Sequence, residues 1–485
     1  MKSKFILPFL IISLLNISCK DNQDEIENNS GTASNATETQ KWIEKTMREH
    51  YYWYQSIPES SKLDYSNKTE DFFTSLLSNK DGKDYKNSSN KADHYYYSYI
   101  QNISESTRSS IDNKNSYGFE YTGIYVDQSY TQLYALVLYV VKGSPADNAG
   151  LKRGDWITKI NSNNISYTDF ISLASGSGIS LSIAHWSEES HSLVPSSEKC
   201  ILSASTAVED NPVLAWNIIE SPIKKKKIGY LAYTQFERGK TDDDSSYDDK
   251  LKELSGSYFT GVDEFVLDLR YNNGGLLSSA VLLCTMFEPA SVVGKLLGYL
   301  KYNDKTSPIK EYIYTGKDIL GSTGKNLDLK TIYILVSNNT ASASEMVINC
   351  LRPYMNVVVI GEQTEGKNVG SVTYTSDDKK WEMHPIVCQI YNSQDYTDYA
   401  SGFSPDLELN EAFEYVNENT VNPVVMYDLG DINERMLKAA INIIDGNGYS
   451  ISRSRGLSTT NNYSFKKSFY SSINRKATNG VIIDR

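Results

Sequence analysis

The segment Thr340-Ala341-Ser342-Ala343-Ser344-Glu345, followed downstream by Gly366-Lys367, supplies a hydroxyl nucleophile and an amine able to take its proton. Ser342 and Lys367 stand 25 residues apart. A neutral serine is a poor nucleophile unless a base accepts its proton as it attacks. Histidine is the usual base, and the chain has five: His50, His94, His185, His191 and His384. None belongs to a recognisable elbow or triad motif. His384 is the one within plausible reach, but it stands in the apolar run from Met383 to Ile390, which reads as a core strand. Lys367 is therefore the expected base, provided desolvation or nearby positive charge keeps its amine neutral. Gly366 before it would let the backbone pack closely enough to bury that amine.

The surrounding pattern places these groups. Ile332-Tyr333-Ile334-Leu335-Val336 reads as a buried strand and Met346 to Leu351 as a helix, so Ser342 falls at a strand-to-helix junction. There the hydroxyl lies near free backbone N–H groups and the positive end of a helix dipole, a setting that favours the oxyanion of acyl transfer. The N–H of Ala343, directly after the nucleophile, is one expected oxyanion donor.

These motifs resemble those of the tail-specific, or C-terminal processing, serine peptidases of family S41. The segment Ser342 to Glu345 matches the family's Ser-Ala-Ser-Glu, and Gly361 to Lys367 matches its Gly-Glu-x-Thr-x-Gly-Lys. The resemblance makes Ser342, not Ser344, the nucleophile and implies an α/β core similar to ClpP and crotonase. It also implies a second oxyanion donor in the turn Asp268-Leu269-Arg270-Tyr271-Asn272-Asn273-Gly274-Gly275, through Gly274 or Gly275. No Lys-Ser/Thr follows those glycines, which excludes a P-loop. The family often carries a glutamine four residues past the lysine to orient it; Ser371 stands there in this chain, with Asn368 as a second candidate. The family further implies substrates with apolar C-terminal residues.

At 485 residues the chain exceeds one hydrophobic core, so several domains are expected. A net charge of −12 argues against a nucleic-acid binder, and the 36 tyrosines are spread without a repeat. Lys2 and Lys4 precede the apolar run Phe5 to Leu15, which is too short to span a bilayer and suits a signal peptide. That segment ends Leu15-Asn16-Ile17-Ser18-Cys19, similar to a bacterial lipoprotein box with Cys19 as the lipidated residue. Lys20-Asp21-Asn22-Gln23-Asp24-Glu25 resembles the acidic export tag of Bacteroidetes lipoproteins. A location in the cell envelope, as an outer-membrane lipoprotein, is the expectation. Cys200, Cys284, Cys350 and Cys388 lack metal-ligand spacing; the last three lie in apolar runs and read as core thiols, although export would permit a disulfide. No metal or cofactor is expected.

Six regions follow: signal peptide 1–19, tether 20–39, a small helical N-terminal domain 40–112, a PDZ domain 113–206, the catalytic core 207–448, and a basic Ser-rich tail 449–485. Thr37-Glu38-Thr39-Gln40 fits a capping box ahead of Ile43, Met47, Tyr51 and Tyr54 at helical spacing, and 78–91 reads as an exposed loop. The PDZ reading rests on an apolar strand, Leu133 to Val141, running into Gly143-Ser144-Pro145 and on to Gly154-Asp155-Trp156-Ile157. Pro145 should start a short helix, Gly150 end it, and Gly154-Asp155 turn into the next strand. Such a groove captures a peptide by strand addition and holds its terminal carboxylate in a nest of N–H groups. The matching loop is Tyr117-Gly118-Phe119-Glu120-Tyr121, with Glu120 in place of a glycine and expected to face solvent. Lys224 to Lys227 reads as an exposed turn, and the tail as solvated.

The reading is a serine endopeptidase acting on polypeptides, anchored to a membrane through Cys19 and not bound to nucleic acid. The alternatives are a noncatalytic peptide-binding or scaffolding lipoprotein that keeps the fold, and a crotonase-type enzyme acting on acyl thioesters.

Overall fold

The computed structural model describes residues 36–86, 91–103, 115–241, 243–417, 420–447, 464–466, 470–473 and 481–484. The signal segment and Cys19 lie outside these residues. The chain divides into two compact units, one of residues 1–107, 302–309 and 371–388, the other of 108–301, 310–370 and 389–485.

In the first unit, helix Glu38–His50 begins at a capping box in which Thr37 and Gln40 exchange side-chain and backbone hydrogen bonds. Its Ile43 and Met47, and Tyr51 just after it, are fully buried. Beyond the expected helices this region holds strands. Lys83–Lys86 pairs with Ala92–Tyr95, and Tyr99–Asn102 pairs with Trp381–His384. The expected exposed loop of 78–91 is thus part hairpin. Asp81 within it is fully buried, its carboxyl pushed up by desolvation although Ser98, Tyr51 and the Tyr97 N–H hydrogen-bond to it.

The second unit holds the PDZ module and the catalytic core. The PDZ sheet is built on Phe119–Tyr125, Leu133–Val140, Trp156–Ile160, Ile179–Ser187 and Ser192–Leu202. Helix Pro145–Asn148 starts at Ser144, whose hydroxyl accepts from Asp147 N–H, and Gly150 leaves it at φ 80°. This is the local geometry the Pro and Gly positions predict.

The core sheet runs in the order Val213–Glu220, Lys227–Tyr233, Glu264–Asp268, Thr331–Val336, Asn356–Gly361, Leu407–Glu408. Its first pair is antiparallel, turning at the expected Lys224–Lys227 segment, and the remaining pairs are parallel. Parallel strands are covered on both faces, which explains their uninterrupted apolar runs. Helix Arg435–Asp445 covers one face, packing Leu437, Ala440 and Ile441 on Ile228, Tyr230, Val266, Leu335 and Ile360. Helix Leu277–Phe287 is buried at ten of its eleven positions, so its sequence is apolar all round. A second sheet orders Lys310–Tyr314, Leu296–Tyr302, Ile386–Asn392, Val369–Ser371 and Val481–Ile482. All four described cysteines are buried free thiols, in accord with a packing role for Cys284, Cys350 and Cys388.

Candidate active site

The strand Thr331–Val336 and the helix Ala343–Leu351 meet at Ser342, as their sequence patterns require. Ser342 is fully buried and holds φ 63°, ψ −113°, a conformation rarely adopted by a side-chain-bearing residue. Its hydroxyl sits at the helix N-cap, facing the first-turn amides, yet closes no well-formed hydrogen bond among the described residues. Such a backbone conformation persists at a residue with a side chain only where its surroundings fix it.

Glu345 fixes this geometry. Its Oε2 accepts from Ser342 N–H at 2.9 Å and from Lys367 N–H at 2.7 Å, so one oxygen ties the backbones of both residues. Its Oε1 accepts from Gly366 N–H at 2.6 Å and Thr364 Oγ1 at 2.5 Å. Full burial raises the Glu345 carboxyl to about 7, with the four donors pulling the other way. Glu345 was not singled out in the sequence, although Ser342 and Glu345 stand at the S-x-x-E spacing of a capping box. Lys367 itself is buried, 4% exposed, at the end of the Gly361–Lys367 segment. Gly366 needs its φ of 92°, and a Cβ there would strike the backbone of Ala400 and Gly402.

The glycine turn closes over the serine from the adjacent strand. Gly274 and Gly275 hold φ 111° and 135°, and a Cβ on Gly274 would stand 2.7 Å from Ser342 Cβ. Asn272 laces the two loops: its carbonyl accepts from Ala341 N–H at 3.2 Å and Ser344 Oγ at 3.2 Å. Its side chain accepts from Gly274 N–H at 2.8 Å. Of the two glycines expected to offer an oxyanion donor, Gly274 thus has its N–H engaged by the Asn272 side chain. Ser371 is buried at the end of Val369–Ser371, and the Asn368 amide donates to Thr397 O at 2.7 Å.

Two guanidinium groups, Arg270 and Arg153, help join this turn to the PDZ module. Arg270 donates to Asp268 at 2.7 Å and 2.9 Å, and to Glu434 at 2.7 Å and 3.0 Å. Arg153, next to the PDZ turn Gly154-Asp155, donates to Glu411 at 2.7 Å, to Leu138 O at 2.6 Å and to the Tyr271 hydroxyl. This network is not legible in the sequence, since its members are scattered over nearly 300 positions.

Three stretches match family models: 38–99 the peptidase S41 N-terminal domain, 136–179 a PDZ domain and 227–409 peptidase family S41. A putative S41 protease from Bacteroides fragilis is similar at 36% identity and TM-score 0.72, over 84% of this chain and 98% of that one. The chain belongs to peptidase family S41. S41 relatives include a probable CtpA-like serine protease of Staphylococcus aureus, 26% identical over 64% of this chain and 57% of that protein. Another is the carboxy-terminal processing protease CtpA of Bacillus subtilis, 26% identical over 58% of this chain and 54% of that protein. The chain therefore spans little more than half the length of these curated relatives.

Within this S41 fold two expectations are corrected. Glu120 does not face solvent: Phe119 already begins a strand, and Glu120 is 5% exposed with its carboxylate accepting from Ser472. Nor is the tail simply solvated, because Phe465, Ser472, Ile473, Val481 and Ile483 are all buried. Both errors share a cause: the strand that covers Glu120 comes from that tail. His384 stacks on Tyr99 at 4.2 Å and faces Thr373 at 3.2 Å, with desolvation lowering it to about 4. It belongs to the first unit's sheet as a packed histidine, the role its apolar run suggests.

Proposed function

We propose that this S41 chain is a serine endopeptidase in which Ser342 attacks and Lys367 accepts its proton. The observation that carries the reading is the shared Glu345 oxygen, which holds the backbones of a strained buried serine and a buried lysine to one point. Ser342 Oγ adds to the substrate carbonyl as its proton passes to Lys367 Nζ. The tetrahedral oxyanion is met by backbone N–H groups of Ala343 and Gly275, aided by the helix dipole. Lysine then returns the proton to the departing amine, and water, deprotonated by the same amine, releases the acyl group from serine. Gly274 serves by closeness, its missing side chain leaving room beside Ser342.

The PDZ module, through the region of Gly118, Phe119, Glu120 and Tyr121, would engage polypeptide chains at their C-terminal segments. Lipidation at Cys19 would hold the enzyme at the cell envelope, on the outer membrane.

Ser342→Ala and Lys367→Ala are each expected to lower casein cleavage by at least about 10³-fold while leaving circular dichroism unchanged. A fluorophosphonate probe read by mass spectrometry should label Ser342. Full activity in either variant would reject the dyad.

A further inference from the structure

The described residues of the C-terminal segment lie along the edges a bound polypeptide would need. Ser464 N–H donates to Val126 O at 2.9 Å and Lys466 N–H to Tyr125 O at 2.8 Å. Tyr470 and Ser471 then pair antiparallel with Gly123 and Thr122, adding a strand to the outer edge of Phe119–Tyr125. Ser472 Oγ accepts from Tyr121 N–H at 2.7 Å and donates to Glu120. The Ile473 carbonyl accepts from Asn273 Nδ2 at 3.1 Å, and its side chain packs among Leu138, Tyr139 and Tyr271. Farther on, Ile482 N–H donates to Gly275 O at 3.0 Å, and Val481–Ile482 lies beside Val369–Ser371, the strand just past Lys367. Asp484 ends the path on Ser278 N–H at 3.1 Å.

We propose that this segment is a tethered competitor, occupying in cis the PDZ edge and the glycine-turn edge that substrate chains must use. The proposal rests on the peptidase reading above for the identity of those chains. A strand edge has one set of free N–H and C=O groups, so a peptide adding at residues 121–125 must first displace 470–472. Glu120 fits this occupant. A carboxylate there disfavours a peptide's own terminal carboxylate but is matched by the Ser472 hydroxyl, just past the strand Tyr470–Ser471. Tethering supplies an effective concentration in the millimolar range, so only a ligand tighter than that, or one present in excess, opens the edge.

The test uses the full-length chain carrying Ile473→Asp, which places a charge in the apolar contact, and Ser472→Val as a milder second variant. The probe is a fluorescein-labelled synthetic peptide copying residues 463–473, followed by anisotropy in a Ser342→Ala background. Release of the segment is expected to tighten probe binding by about tenfold or more over the parent. With Ser342 intact, both variants should cleave casein several times faster, and unlabelled peptide should suppress the gain. Probe affinity equal to the parent's in both variants, with native circular dichroism, would overturn the proposal, as would a fall in casein cleavage. If neither parent nor variants cut casein, the peptidase reading fails while the binding comparison still decides this one.

Discussion

Glu345 and Glu434 are both fully buried at helix starts in the same unit, yet their surroundings drive them in opposite directions. Burial alone raises a carboxyl. At Glu345 it prevails, leaving the group near 7, because the donors from Ser342, Thr364, Gly366 and Lys367 are neutral. At Glu434 the same penalty is overcome by Arg270 and then Arg153, which hold it at about 2, with Leu437 N–H adding at 2.9 Å. The difference separates two tasks. Glu434 is a permanent charge in a clamp between the PDZ module and the glycine turn. Glu345 is an acceptor that shapes the backbone around Ser342 and Lys367 and titrates near neutrality.

The largest break in this contrast should come from the clamp. Arg270→Met removes the cation that faces Asp268 and Glu434, and a buried pair losing one partner costs about 3–5 kcal/mol. Urea denaturation should show that loss; a change under about 1 kcal/mol would mean the network contributes no net stability.

Glu345→Gln sharpens the contrast through pH. The folded carboxyl lies above its usual 4.5, so its contribution is fully present below pH 4.5 and disappears as pH rises through about 7. Wild-type stability relative to this variant should therefore fall by about 3 kcal/mol over that window. Glu434 behaves with the opposite sign, stabilising above its usual 4.5 and losing effect as pH falls towards about 2. A flat difference between wild type and Glu345→Gln across the neutral window would remove Glu345 as the titrating group.

The smallest expected effect is at the rim of the clamp. The Tyr230 hydroxyl donates to Asp268 at 2.7 Å, and Tyr230→Phe should cost about 1.5 kcal/mol, with casein cleavage nearly unchanged. A tenfold loss of cleavage would show that the clamp controls the turn more tightly than its outer hydrogen bonds suggest.

Much of the frame was legible because it depends on local rules. The strand before Ser342, the helix after it, the capping box at Thr37 and the Pro145-to-Gly154 signature each express a preference of a few neighbouring residues. Helix Arg435–Asp445 likewise follows from its apolar period. Glu345 was half legible: its spacing from Ser342 announces a cap, but the bonds to Gly366 and Lys367 come from a loop 21 and 22 residues away.

The tail was misread because serine-rich, basic composition describes an average, whereas burial there depends on a few positions, Phe465, Ile473, Val481 and Ile483, finding an unpaired strand edge. Glu120 was misread with it, since a strand residue faces solvent or not according to what the fold lays across it. By itself the sequence determined the strand and the helix that flank Ser342, because those follow from side-chain type and short-range periodicity. Only the tertiary structure decided which carboxylate binds the backbones of Ser342 and Lys367, how Arg153 reaches the glycine turn and what occupies the PDZ edge, because those contacts join segments that have no local reason to meet.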